Sequence, residues 1–142
     1  MIISKCTHKN NILVFTSLLF LTNMVAALYK EYYDYALLFM LLTITSVIVH
    51  TNEFNIHINL IDKVSITGIV LYGGYLLYQK MPIDNRIIMT CICITFILSI
   101  WLYIYGYITK QYCFHPEESI YLFYHGFMHL ISSIGHHLII FY

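Results

Sequence analysis

Residues 124–137 read YHGFMHLISSIGHH, and they lie inside a stretch apolar enough to sit in a membrane. An ionisable side chain in such a stretch is costly and is kept where it has a partner or a task. His125 and His129 are four residues apart. On a helix they share one face, with Cβ atoms about 5–6 Å apart. Two imidazoles so placed can chelate one metal ion, as in zinc motifs carried on a helix. His50, at the end of an earlier apolar stretch, offers a third nitrogen; Ser46 lies one turn before it, and Asp62 follows in the next stretch. Three protein ligands leave one position on a zinc ion open, whereas structural sites close with four. Asp62 would then handle the proton of an attacking water. Ser46 would hydrogen-bond a developing oxyanion or orient a ligand.

Each of these residues also has a plain structural explanation. A lone intramembrane histidine is often a hydrogen-bonded packing residue. Asp62 suits a helix start as a cap, and Ser46 can bond the carbonyl four residues back. Topology is what joins the five. Apolar stretches run roughly over 11–29, 35–51, 60–79, 86–109 and 118–141, each near the ~20 residues a spanning helix needs. Consecutive spans alternate in direction. The end of the second, the start of the third and the start of the fifth therefore lie on one side, and Ser46, His50, Asp62, His125 and His129 fall within one leaflet.

Composition agrees. Of 142 residues, 60% are hydrophobic and 10% charged, with a mean hydropathy of +0.75; soluble domains carry about 25% charged residues. The expectation is an all-α, polytopic transmembrane helix bundle of about five spans, a single domain over 1–142, in a multi-pass integral membrane protein. Lys+Arg and Asp+Glu number seven each, so no basic surface is available for nucleic acid. Tyr29, Tyr32, Tyr33 and Tyr35 read as part of an interfacial tyrosine belt. Pro82 and Pro116 fall in connections just before a helix, where proline is tolerated, and Glu117 and Glu118 suit a helix N-terminus. Gly73 and Gly74 inside the third span read as close packing or a kink. Cys91 and Cys93 point apart on a helix and read as packing residues, while Cys6 and Cys113 pair only in an oxidising compartment. Lys5 and Lys9 before an apolar run, with Val25-Ala26-Ala27 like a cleavage site, also admit a signal peptide; the length of the run favours a retained helix. Lys5, Lys9, Lys63 and Lys110 lie on one side, and Lys30, Lys80 and Arg86 on the other. By the positive-inside rule this places the N-terminus and the histidine site on the cytosolic side.

The pattern Ser46-x-x-x-His50, then Asp62, then a last-helix His125-x-x-x-His129 resembles the CREST superfamily, which includes alkaline ceramidases, progestin and adiponectin receptors and haemolysin-III-like proteins. The resemblance implies a helical bundle holding zinc by His50, His125 and His129, with Asp62 as acid/base and Ser46 as a supporting hydroxyl. It implies a zinc-dependent hydrolase that cleaves a lipid amide or ester, with a membrane lipid as substrate or ligand. The family usually has seven spans. Losing one hairpin between Asp62 and the final pair keeps the direction of the last helix but removes walls from the substrate chamber.

Two other classes compete. A haem protein would use facing histidines as axial ligands and needs neither Asp62 nor Ser46. A non-enzymatic membrane protein, either a receptor-like zinc bundle or a small structural protein, would hold metal without turnover. Of the remaining histidines, His136 shares the face of His125 but lies too far along the helix to join one ion. His136 and His137 read as interfacial or packing residues, and His57 and His115 as solvated loop residues. His8 is uninformative.

Overall fold

The computed structural model describes residues 11–51, 56–81 and 85–142. The expectations on Lys5, Cys6, His8, Lys9 and Pro82 lie outside the described residues. Everything regular in the described residues is helical: α1 Asn11–Ser17, α2 Leu19–Tyr29, α3 Tyr33–Thr51, α4 Ile56–Gln79, α5 Arg86–Ile100, α6 Gly106–Thr109 and α7 Glu118–Phe141. A π turn, Trp101–Tyr105, joins α5 to α6, and a 3₁₀ turn, Tyr112–Phe114, precedes α7. Among the described residues, four helices are long and apolar enough to cross a membrane: Ile12–Tyr29, Tyr33–Thr51, Ile56–Gln79 and Arg86–Thr109. They carry large apolar side chains on their outer faces, such as Val25, Leu37, Leu71 and Ile97, all exposed. Apolar surface on that scale suits lipid rather than water.

The fifth stretch differs in kind. α7 has 24 residues, about 36 Å at 1.5 Å per residue, which is enough to span. Its histidines and serines make it less apolar than the other four. It packs against α1, α2, α4 and α5, and its polar side chains turn inward.

Small residues and caps set the approach of the helices. Thr16 and Ser17 both donate to the Leu13 carbonyl, at 3.1 and 2.7 Å. Such back-bonding bends helices, and the first span breaks at Leu18, immediately afterwards. Asn85 caps α5, its Oδ1 accepting from the Ile87 and Ile88 amides. Lys80 donates from Nζ to the Ile139 carbonyl at 2.7 Å, so a cation closes the C-terminal end of α7, where the helix dipole favours it.

The two central glycines separate in role. A Cβ on Gly73 would lie 2.7 Å from the Tyr35 hydroxyl, whereas one on Gly74 would meet nothing within 4 Å. Only Gly73 fits the close-packing expectation. Gly73→Ala is expected to lower stability by about 1–3 kcal/mol through overpacking, and Gly74→Ala to be neutral or stabilising by up to about 1 kcal/mol. Thermal denaturation of the two variants in detergent checks both.

Some expectations about outward and inward residues are corrected. Tyr29 and Tyr33 are exposed, but Tyr35 is fully buried in the core and hydrogen-bonded to His136. Of the two readings for His136, interfacial or packing, its burial among Tyr35, Phe39 and Phe96 fits the second. Cys91 and Cys93 are both exposed on α5. They flank the fully buried Ile92, so each points off the packed face and neither is a packing residue.

Candidate metal centre

α4 packs antiparallel to α3 and touches α7, which runs in the same direction as α4, so the end of α3 lies beside the starts of α4 and α7. His50 is 4% exposed and His129 6%. Ring centroids lie 5.0 Å apart for His50 and His125, 5.5 Å for His50 and His129, and 4.9 Å for His125 and His129. One nitrogen from each ring lies within 4.8 Å of the other two. The three imidazoles foreseen in the sequence therefore form one cluster.

The atoms in this cluster fit a metal ion. His125 Nδ1 is buried with no hydrogen-bond partner among the described residues. Leaving such a nitrogen unpaired costs about 1–3 kcal/mol, and a cation at the centre of the cluster would satisfy it. His129 Nδ1 lies 2.9 Å from Thr16 Oγ1. The Thr16 hydroxyl also lies 3.1 Å from the Leu13 carbonyl, and when it donates its hydrogen there it accepts from His129 Nδ1–H. That fixes the tautomer and leaves the Nε2 lone pair for a ligand bond, the usual way a supporting group orients a metal-binding histidine. Thr16→Val is expected to weaken zinc binding about 10–100-fold, measured by competition with a chelating dye, while the helix content by circular dichroism stays unchanged.

Asp62 is 7% exposed and accepts from Thr45 Oγ1 at 3.0 Å. It sits within α4, with a hydroxyl of α3 at one carboxylate oxygen. Ser46 lies 3.0 Å from Ser17 Oγ. Ser17 donates to Leu13, so Ser46 is the donor of the pair and presents its lone pairs elsewhere. An oxyanion role would require it to release Ser17.

Asp62, Ser46 and the three histidines line one cavity of about 900 Å³. Its walls come chiefly from α4, with Ile66, Ile69 and Val70, and from α5, with Phe96 and Ile100. The π turn adds Tyr103 and Ile104. Among the described residues α4 and α5 barely touch, so the cavity lies along a cleft between them. His115 lines its mouth and accepts from the Glu117 amide; His57 is exposed at the start of α4.

Thr16, Ser17 and Thr45 support the cluster and were missed in the sequence. The only signal was hydroxyl residues inside otherwise apolar spans, which any membrane helix carries. A second polar set joins the first span to α7. Fully buried Asn23 donates to the Ser133 carbonyl at 2.9 Å, accepts from Ser133 Oγ at 2.7 Å and bonds His137 Nδ1 at 2.7 Å. The first span is thus part of the site's framework, and a chain shortened after Ala27 would lose Thr16, Ser17 and Asn23 together.

Cys113 is buried, with its thiol 3.9 Å from Met128 Sδ. Burial pushes the thiol up to about 12, so it stays protonated at neutral pH and is a poor nucleophile. An impermeant thiol reagent is therefore expected to leave Cys113 unlabelled in intact protein whichever side it faces, and to label it after denaturation. Sidedness is better read from a cysteine placed at exposed Thr109.

Comparison with family models, with curated proteins and with solved structures finds no match. What fold and site define is a class: an all-α bundle of membrane-spanning character with a cluster of three histidines able to hold a metal ion.

Proposed function

We propose that the protein is a membrane-embedded, zinc-dependent hydrolase acting on a lipid amide or ester. The observation that carries this reading is the cluster of His50, His125 and His129, with His125 Nδ1 lacking a partner among the described residues, opening on the same cavity as Asp62. A bound zinc ion would supply Lewis acidity to a carbonyl and activate water at neutral pH. The three imidazoles hold the metal, and Thr16 keeps His129 in the ligating tautomer. Asp62 accepts the proton of the attacking water and returns it to the leaving amine or alkoxide. The apolar walls of α4 and α5 bind the acyl chain and keep bulk water away. The cleft between those helices gives a lipid a sideways path from the bilayer.

The haem alternative has less support. It gives no role to Asp62 or Ser46, which line the same cavity as the three histidines. One observation favours a non-enzymatic zinc bundle as the second reading: the Ser46 hydrogen is committed to Ser17. Zinc-loaded protein in lipid nanodiscs, given N-acyl and O-acyl lipids with fatty-acid release followed, separates the two. Release that is abolished by a chelator and restored by zinc supports the hydrolase. Stoichiometric zinc without release from either lipid supports the second reading.

A further inference from the structure

The polar residues of α7 do not stop at the metal cluster. His125, His129, Ser132 and His136 form one stripe along the helix, and all four line the cavity. His136 is seven residues beyond His129, about 10 Å along the helix axis, in the opposite leaflet. Its Nδ1 is hydrogen-bonded to the Tyr35 hydroxyl. Tyr35 is fully buried, and no other partner for its hydroxyl is present among the described residues. The phenol must therefore donate to Nδ1, because the opposite arrangement would strand a buried O–H at a cost of about 1–3 kcal/mol. Gly73 leaves the space this pair occupies, since a Cβ there would meet both the Tyr35 hydroxyl and His136 Nδ1. With Nδ1 taken as acceptor, the neutral ring carries its hydrogen on Nε2. His129 and His136 are thus set in opposite senses by their partner hydroxyls. Thr16 accepts and leaves His129 a lone pair; Tyr35 donates and leaves His136 an N–H.

We propose that His136, held by Tyr35, is a second ligand-binding group of the cavity, whose Nε2–H recognises a hydrogen-bond acceptor about 10 Å from the group bound at the histidine cluster. The ligand class is a single-chain lipid with a polar head and a mid-chain oxygen, such as a hydroxyl or keto group. This inference rests on the lipid-binding reading of the cavity and adds a specificity to it. The apolar stretch between the two polar ends, with Ile69, Phe96 and Ile100, suits the intervening methylenes.

The test is equilibrium binding of two labelled probes, octadecanoic acid and its mid-chain hydroxy derivative, to zinc-loaded protein in nanodiscs. Wild type is expected to bind the hydroxy probe about three- to tenfold more tightly, the worth of one neutral hydrogen bond. His136→Leu is expected to abolish that preference while still binding the plain probe, which also reports that the variant is folded. Tyr35→Phe keeps the ring but removes the donor that fixes the tautomer, and is expected to reduce the preference without altering plain-probe binding. Equal binding of the two probes by wild type would overturn the second site and leave the metal-site reading standing. A preference that survives in both variants would overturn the role of His136, and one lost in His136→Leu but intact in Tyr35→Phe would overturn the donor assignment. Failure of wild type to bind either probe would remove the lipid reading of the cavity, and this inference with it.

Discussion

Asp62→Asn is expected to leave zinc bound at full stoichiometry and to lower lipid hydrolysis about 10²–10⁴-fold, the contribution of a positioned general acid–base. Asn keeps the shape of the side chain and can still accept from Thr45 Oγ1, so the contact between α3 and α4 is preserved. It cannot take a proton from the attacking water. The comparison that matters is metal content against turnover, measured on the same preparation. Loss of zinc in step with activity would make Asp62 a ligand or a framework residue instead.

The His125→Ala/His129→Ala variant carries the other large effect. Two of the three converging nitrogens disappear, and bound zinc is expected to fall from one ion per chain to background by elemental analysis of dialysed protein. Closed zinc sites in small peptides bind with about 10–16 kcal/mol at neutral pH, so a site reduced to His50 alone has no comparable hold. The bundle itself is expected to persist. Gly126 and Gly135, against Thr16 and Thr95, and the Asn23–Ser133–His137 set still fix α7 against its neighbours. A folded, metal-free variant separates a metal role from a packing role for these histidines.

The outline of the fold could be read in the sequence because membrane spans declare themselves by uniform apolarity over about 20 residues. The expected stretches 35–51, 60–79 and 86–109 match Tyr33–Thr51, Ile56–Gln79 and Arg86–Thr109 to within a few residues. The break at Leu18 and the π turn were not visible, since both depend on how backbone carbonyls are shared within an apolar run. The cluster was foreseen because i,i+4 spacing and alternating span direction are enough to gather His50, His125 and His129. Its support was not: Thr16 and Ser17 look like any hydroxyl residues of a span until the packing of α1 on α7 brings Thr16 to His129. Tyr35 was misplaced for a related reason. Near a span end a tyrosine reads as a membrane anchor, and only the space left by Gly73 and the position of His136 reveal a buried partner.

Zinc K-edge X-ray absorption on the purified, zinc-loaded wild-type protein tests the central claim most directly. Three imidazoles on one ion give a first shell of light N/O scatterers at about 2.0–2.1 Å with the outer-shell pattern of histidine rings and no sulfur. That spectrum, lost in the His125→Ala/His129→Ala variant, is the result expected. A sulfur shell near 2.3 Å, or a spectrum unchanged by removing the two histidines, would contradict a metal centre built from His50, His125 and His129.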